Sequence, residues 1–253
     1  YPCLTYNFDE KKGDNHYNCP VVAYYPELLQ ANITKLKDIR FLYPYLGLHR
    51  PADFVKKATA FFSEQFGGIS RGEVKRAADK AYAVYYQWHE DIKAEGAKAM
   101  AYAKKHGSQM VILAGRPYHI DPEINHGIDK LIHSFGIVIL TEDSVSDLVQ
   151  PQQVNVLNQW TYHARLYNAA KFATQHDDIE LIQLVSFGCG LDAITTDEVR
   201  SILERNNKLY TQLKIDEISN LGTVKIRIRS LLGAIDERKR TRERKAEEYE
   251  TTN

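Results

Sequence analysis

The sequence predicts an α/β protein built on a doubly wound, mostly parallel sheet flanked by helices, with a helical insertion in its N-terminal half. Three observations predict it. Strands alternate with helices from Ser108 onward, and that rhythm packs as a parallel sheet with helices on both faces. The strands themselves are near-continuous apolar runs, as strands buried on both faces must be. Residues 52–106 carry helical pattern almost without a break. Four segments result: a cysteine-bearing α/β segment over 1–50, a helical region over 51–107, the parallel-sheet domain over 108–235, and a charged tail or linker over 236–253.

Taken in order, residues 1–20 are polar and turn-rich and read as a loop between Cys3 and Cys19. Residues 21–25 (VVAYY) have strand composition, yet Pro20 suits the first position of a helix, and both readings stay open. Pro26 opens a helix over 26–37, and residues 39–46 (IRFLYPYL) read as a strand ended by Pro44. A helix over 52–66 stops at Gly67-Gly68. Ser70 and Glu73 have capping-box spacing ahead of a helix over 71–106. On that helix Val74, Ala78, Ala81, Tyr85, Trp88 and Ile92 form one apolar stripe, the pattern of a core-facing surface.

In the second half, QMVILAG is a buried strand, and Asp121 caps a helix running from Pro122 to about Ser134. GIVILT (136–141) and IELIQLVSFG (179–188) are further strands, separated by helix over about 152–176. Thr195 or Thr196 caps a helix to about Asn206, LYTQLKI is the last strand, and a helix begins near Leu221. Its apolar residues Val224, Ile228, Leu231, Leu232 and Ile235 share a face, after which the charged tail reads as a solvated helix end or a linker.

Composition excludes several classes. Of 253 residues, 33 are Lys or Arg and 33 are Asp or Glu, so no global field favours nucleic acid or an acidic membrane. No apolar run nears the roughly 20 residues that cross a bilayer. The chain opens on Tyr1 with no secretory signal pattern, and YPCLTY reads as a cut inside a longer polypeptide. Three cysteines do not make a disulfide framework, and a large core without disulfides fits a reducing cytoplasm.

Ligands of parallel sheets bind beyond the carboxyl ends of the strands, and there the unusual residues concentrate. Four loops follow strand ends: 115–127, 141–144, 186–193 and 215–222. Cys189 stands between Gly188 and Gly190, where backbone can approach a bulky ligand and its N–H groups can serve anionic sulfur. A lone cysteine is otherwise most often a buried core residue. Arg116 offers a planar donor fork for an anion, and the GRPYH loop is neither a Walker loop nor a dinucleotide fingerprint. His119 and His126 are proton-transfer candidates, although such histidines are commonly structural. Glu142, Asp143, Asp216 and Glu217 are candidate bases or partners of Arg116, or else helix caps.

The segments NHYNCPVVAYYPELLQAN, LAGRPYHIDPEINHGI, VILTEDSV, SFGCGLDAITTDEV and KIDEISNLGTVKIRIRSLL resemble the activase-related module of large fused anaerobe proteins. That module is related to the catalytic subunits of 2-hydroxyglutaryl-CoA dehydratase and benzoyl-CoA reductase. The resemblance implies a [4Fe–4S] cluster on Cys3, Cys19 and Cys189 with one iron open, an acyl-CoA substrate, and an ATP-hydrolysing activase domain or subunit that supplies low-potential electrons. It also implies that Arg116 or His119 orients the acyl-CoA, and it allows a dimer; the strand-end reading adds Glu142 to these two as a candidate catalytic residue. Two alternatives stand beside it. One is structural zinc on the three cysteines with His16 as fourth ligand; the other is a non-catalytic docking or electron-relay domain.

Overall fold

The computed structural model describes residues 1–186, 188–215 and 221–252. The chain forms two compact units, one of residues 1–92 with 150–165, the other of residues 93–149 with 166–253. Among the described residues no helix is long and apolar enough to cross a membrane.

The first unit begins where a loop was expected. Strand β1 (Cys3–Tyr6) pairs in parallel with β2 (Tyr45–Gly47), with Cys3 opposite Tyr45 and Leu4 opposite Leu46. The open question at residues 21–25 resolves as helix, because α1 (Pro20–Ala23) starts on a proline that needs no N–H partner there. Helix α2 (Tyr25–Asn32) follows and gives way to a 3-10 turn at Thr34–Asp38. Of the strand expected over 39–46 only the end pairs. Before it, the Tyr1 ammonium donates to Leu42 O at 3.0 Å, but Pro44 has no N–H for a ladder, so the regular strand pairing starts only after the Pro44 carbonyl accepts from Cys3 N at 2.8 Å.

Helix α3 (Pro51–Phe66) ends at Gly67 with φ of 68°, as the sequence indicates. The capping box forms ahead of α4 (Arg71–His106): Glu73 N donates to Ser70 Oγ at 3.2 Å, and Ser70 N donates to the Glu73 carboxylate at 2.8 Å. The apolar stripe of α4 runs differently from expectation. Val74 and Ala78 are buried, but the stripe continues through half-buried Tyr82, Tyr85 and His89, while Ala81 and Trp88 face outward. Rows four apart carry the face here, and the Tyr82 hydroxyl is drawn inward to donate to Leu48 O at 2.9 Å. Phe8 stacks on Tyr85 with centroids 3.6 Å apart.

The segment between the two early cysteines is held by buried charge. Glu10 accepts from Arg165 Nε and from Lys12 Nζ, both at 2.8 Å, and also from Arg165 Nη2. Residues 152–160, expected to be helical, are not, because their backbone serves this segment instead. Asp14 N donates to Asn158 O at 2.8 Å and Tyr17 N to Gln159 O at 2.9 Å. Helix α8 (Thr161–Thr174) starts only after that pairing.

The second unit holds the parallel sheet. Strands β3 (Met110–Ala114), β4 (Val138–Thr141), β5 (Ile179–Ser186) and β6 (Tyr210–Ile215) lie in the order β4-β3-β5-β6, all parallel. Alternation sorts their side chains. Val111, Leu113, Ile182, Leu184, Leu213 and Ile215 face one core with α6 (Ile128–His133) and α10 (Leu221–Thr252). Their neighbours Met110, Ile112 and Leu181 are equally buried on the opposite face, where α9 (Gly190–Glu204) packs against β5 and β6. This is the doubly wound sheet that the sequence predicts.

Three local expectations change. The helix expected over 122–134 breaks into α5 (Pro122–Asn125) and α6, because His126 and Gly127 take φ of 52° and 82° while Gly127 N donates to Asn125 Oδ1. Thr195 and Thr196 do not cap a helix. They lie inside α9 and donate to the Leu191 and Ala193 carbonyls, and Cys189 occupies the cap position. The charged tail continues α10 as helix, anchored where Arg238 and Lys208 meet the fully buried Glu180.

Burial alone would raise the Glu10 carboxyl, but hydrogen bonds and charge from Arg165, joined by Lys12, hold it down at about 2. Its depressed value stabilises the fold above its unfolded pKa, and that stabilisation disappears as pH falls through the mid-4s toward 2. Glu10→Gln is therefore expected to cost about 3 kcal/mol at pH 7, since Arg165 stays buried without its counter-charge. Denaturant unfolding from pH 7 to pH 3 checks this: the variant's stability should depend less on pH than the parent's.

Candidate functional site in the parallel sheet

Strand order reverses between β3 and β5, since β3 leads to β4 on one side and β5 starts the run to β6 on the other. Ligand crevices of doubly wound sheets open at that reversal, beyond the carboxyl ends. Here the two loops that leave β3 and β5 are tied to each other by a small set of polar contacts.

The β3 loop is shaped by a histidine. Arg116 precedes a 3-10 turn, Pro117–Ile120, and its backbone N–H donates to His119 Nδ1 at 3.2 Å. His119 is fully buried and its Nε2 lies 2.8 Å from Ser186 Oγ, at the end of β5. Gly115 is required for this packing, because a Cβ there would sit 2.6 Å from His119 Nδ1. Burial, helped by the Arg116 charge, lowers His119 to about 4, so the ring is neutral through the physiological range.

Arg116 then reaches the β5–α9 turn. Its Nη2 donates to Asp192 Oδ2 at 2.7 Å and its Nη1 points at Cys189 Sγ at 3.4 Å. The same Asp192 oxygen accepts from Ser186 N at 2.9 Å. Burial raises the Asp192 carboxyl although Arg116 opposes it. The guanidinium also lies 5.2 Å from the Tyr118 ring centre. Beside these groups is a cleft of about 270 Å³, lined by Ser186, Gly188, Cys189, Asp192, Thr196 and Lys214 among others. Gly188 turns the chain with φ of 77°, and the space beside Gly190 is open.

Thus the structure brings Arg116, His119 and Cys189 together in one unit. Glu142 is buried in the first turn of α7 (Glu142–Val145), beyond β4, with Asp143 accepting from Thr141 Oγ1. The carboxylate that pairs with Arg116 is instead Asp192. His126 is exposed, and Asp216 and Glu217 lie outside the described residues. Cys3 and Cys19 belong to the first unit. Cys3 is buried at the start of β1, where burial and the nearby Glu27 push its thiol up; Cys19 caps α1 and is half-buried. Among the described residues no group of three or more His, Cys, Asp or Glu side chains is gathered to hold a metal ion. Cys189 alone has a donor arrangement of the sort that suits a cluster thiolate, with an N–H directed at its sulfur.

Sequence reasoning missed Ser186 and Asp192. Asp192 stands three residues after Cys189, a position that reads as an ordinary first-turn carboxylate, and nothing local announces Arg116 as its partner. Ser186 is the last residue of a strand whose pattern says only that it is buried.

Residues 1–145 match the family described as the CoA enzyme activase uncharacterised domain. The chain belongs to that family. The activase-related reading of the sequence therefore stands, and the matched stretch includes Cys3, Cys19, Arg116, His119 and Glu142. Cys189, Ser186 and Asp192 lie beyond the CoA enzyme activase match. No curated protein matches the chain.

The contrast between two glycines tests this geometry. Gly115→Ala is expected to lower unfolding free energy by about 2 kcal/mol, as overpacking against a buried ring does. Gly190→Ala, with nothing near its new methyl, should change it by less than about 0.5 kcal/mol. Equal effects in denaturant melts would mean that His119 does not sit against Gly115.

Proposed function

We propose that this chain is the iron–sulfur module of an ATP-dependent 2-hydroxyacyl-CoA dehydratase or reductase system. In this reading it receives an acyl-CoA thioester in the cleft beside the β5–α9 turn and takes low-potential electrons from an ATP-hydrolysing activase domain or subunit. The observation that carries the reading is the meeting of Arg116, Asp192, Ser186 and Cys189 at the strand-order reversal. Membership of the CoA enzyme activase family supports the coarser part of it, a role alongside a CoA enzyme.

Cys3, Cys19 and Cys189 are the thiolates that would hold a [4Fe–4S] cluster. When bound, a cluster with an open iron supplies a Lewis acid and a one-electron donor in one place. The chain's own residues do the rest. Arg116 places a fixed positive charge beside the Cys189 sulfur, and Asp192 fixes the direction of that charge. His119 is a neutral, fully enclosed ring that holds the β3 loop against β5.

A second reading has an observation of its own. Arg116 is already engaged by Asp192 and Cys189, and His119 by Arg116 and Ser186, so most of these polar groups have partners before any ligand arrives, the buried Arg116 Nε excepted. Such a site suits an electron-relay or docking module, for which cluster binding without acyl-CoA binding is the signature.

Anaerobic reconstitution with iron and sulfide should give a brown protein with about four irons and four sulfides per chain. Cys189→Ser should remove most of the colour while leaving the helical circular dichroism intact. A colourless parent under these conditions overturns the iron–sulfur reading. Stoichiometric zinc without sulfide, lost on changing His16 to Gln, would replace it with a structural zinc site.

A further inference from the structure

The hydrogen-bond pattern around His119 assigns a proton. The backbone N–H of Arg116 can only donate, so His119 Nδ1, 3.2 Å away, must accept. A neutral imidazole carries one proton, and it therefore sits on Nε2. The Nε2–H is then the donor to Ser186 Oγ at 2.8 Å.

The consequence falls on the serine. With Ser186 Oγ accepting from His119, its own hydrogen is turned away from the ring. Its contact with the Tyr118 hydroxyl, at 3.5 Å, is too long for a strong bond and is carried by an exposed ring. Ser186 lines the cleft, next to Cys189 and Lys214. The arrangement also excludes a nucleophilic serine. His119 Nε2 already bears its proton and cannot take the one on Ser186, and the low proton affinity of the enclosed ring points the same way.

We propose that Ser186 is a binding residue whose hydroxyl donates a hydrogen bond to the acyl carbonyl oxygen of a thioester held in the cleft between the β5–α9 turn and β6, and that His119, behind it on the β3 loop, is a positioning residue that fixes the direction of that donation. This rests on the acyl-CoA reading given above and adds to it the atom that the site recognises. A preset donor aimed at a carbonyl also strengthens as negative charge grows on the oxygen, which is how an oxyanion site works. Among the described residues the charged and titratable groups around the serine are Arg116, Tyr118, His119, Cys189, Asp192 and Lys214, and Asp192 accepts from the Ser186 backbone N–H at the strand end.

The experiment compares two probes, butyryl-CoA and its thioether analogue S-butyl-CoA, which lacks the carbonyl, by calorimetry on the full chain. The parent protein should bind the thioester about three- to tenfold more tightly, the value of one hydrogen bond. Ser186→Ala should erase that gap and leave thioether affinity as it was. A gap that survives Ser186→Ala, or equal weakening of both probes, overturns the serine assignment while the acyl-CoA reading stands. Binding of neither probe to the parent overturns both. The His119 role has a separate readout: nitrogen NMR should show the proton on Nε2 from pH 6 to 8. A proton on Nδ1 would overturn it, because Ser186 would then donate to the ring and have nothing to offer a ligand.

Discussion

Arg116 spans two loops that chain connectivity keeps far apart, and the site exists because of that span. The loop after β3 and the turn after β5 are separated by some 70 residues of sequence, yet one guanidinium meets Asp192 and Cys189 while its own backbone N–H fixes His119. Parallel pairing of β3 with β5 brings the two carboxyl ends side by side. The arginine then converts neighbouring strand ends into a defined surface. Loss of the pairing would leave the arginine with no reason to meet Cys189 and Asp192, which are neighbours of each other in one helix start, where Asp192 N donates to Cys189 O at 3.1 Å.

Much of this was legible in the sequence for a simple reason: strands buried on both faces are apolar at most positions, and the polar exceptions in β5, Glu180 and Gln183, are buried against partners. QMVILAG and IELIQLV have no other comfortable home, and the strand-end rule then pointed to Arg116, His119 and Cys189. Elements whose structure is decided by partners were not legible. Residues 152–160 give up helix because Asp14 and Tyr17 claim their carbonyls. Residues 39–43 have the composition of a strand but Pro44 delays pairing until the Cys3 N–H is met. The stripe on α4 depended on whether the next buried residue after Ala78 was three or four positions on, and a hydroxyl partner at Leu48 decided for Tyr82. Asp192 escaped notice for the same reason, since its role is set by a residue 76 positions away.

The family match and the site divide the chain unequally. The matched stretch ends at residue 145, just past β4, so it takes in β3 and its loop but not β5 or the turn that carries Cys189. The arginine and histidine of the site therefore come from the matched part and the sulfur and carboxylate from beyond it. A site assembled across that boundary cannot be read from either side alone. Family membership accordingly speaks to the setting of the chain, a CoA-enzyme system, and the chemistry must be argued from the cleft.

Two buried carboxylates paired with arginines make the final contrast. Glu10 receives two donors from Arg165 and one from Lys12, and these outweigh burial, so its carboxyl is pulled far below the ordinary value. Asp192 receives one guanidinium N–H and one backbone N–H on a single oxygen, and burial wins, so its carboxyl is raised. The first pair is a lock, since separating it leaves Arg165 buried without an anion. The second is undercompensated, because its donors offset burial only in part. Structural ion pairs are built to be hard to open. The pair at Arg116 differs in kind, because both donors crowd one carboxylate oxygen and the burial of Asp192 is left partly uncompensated.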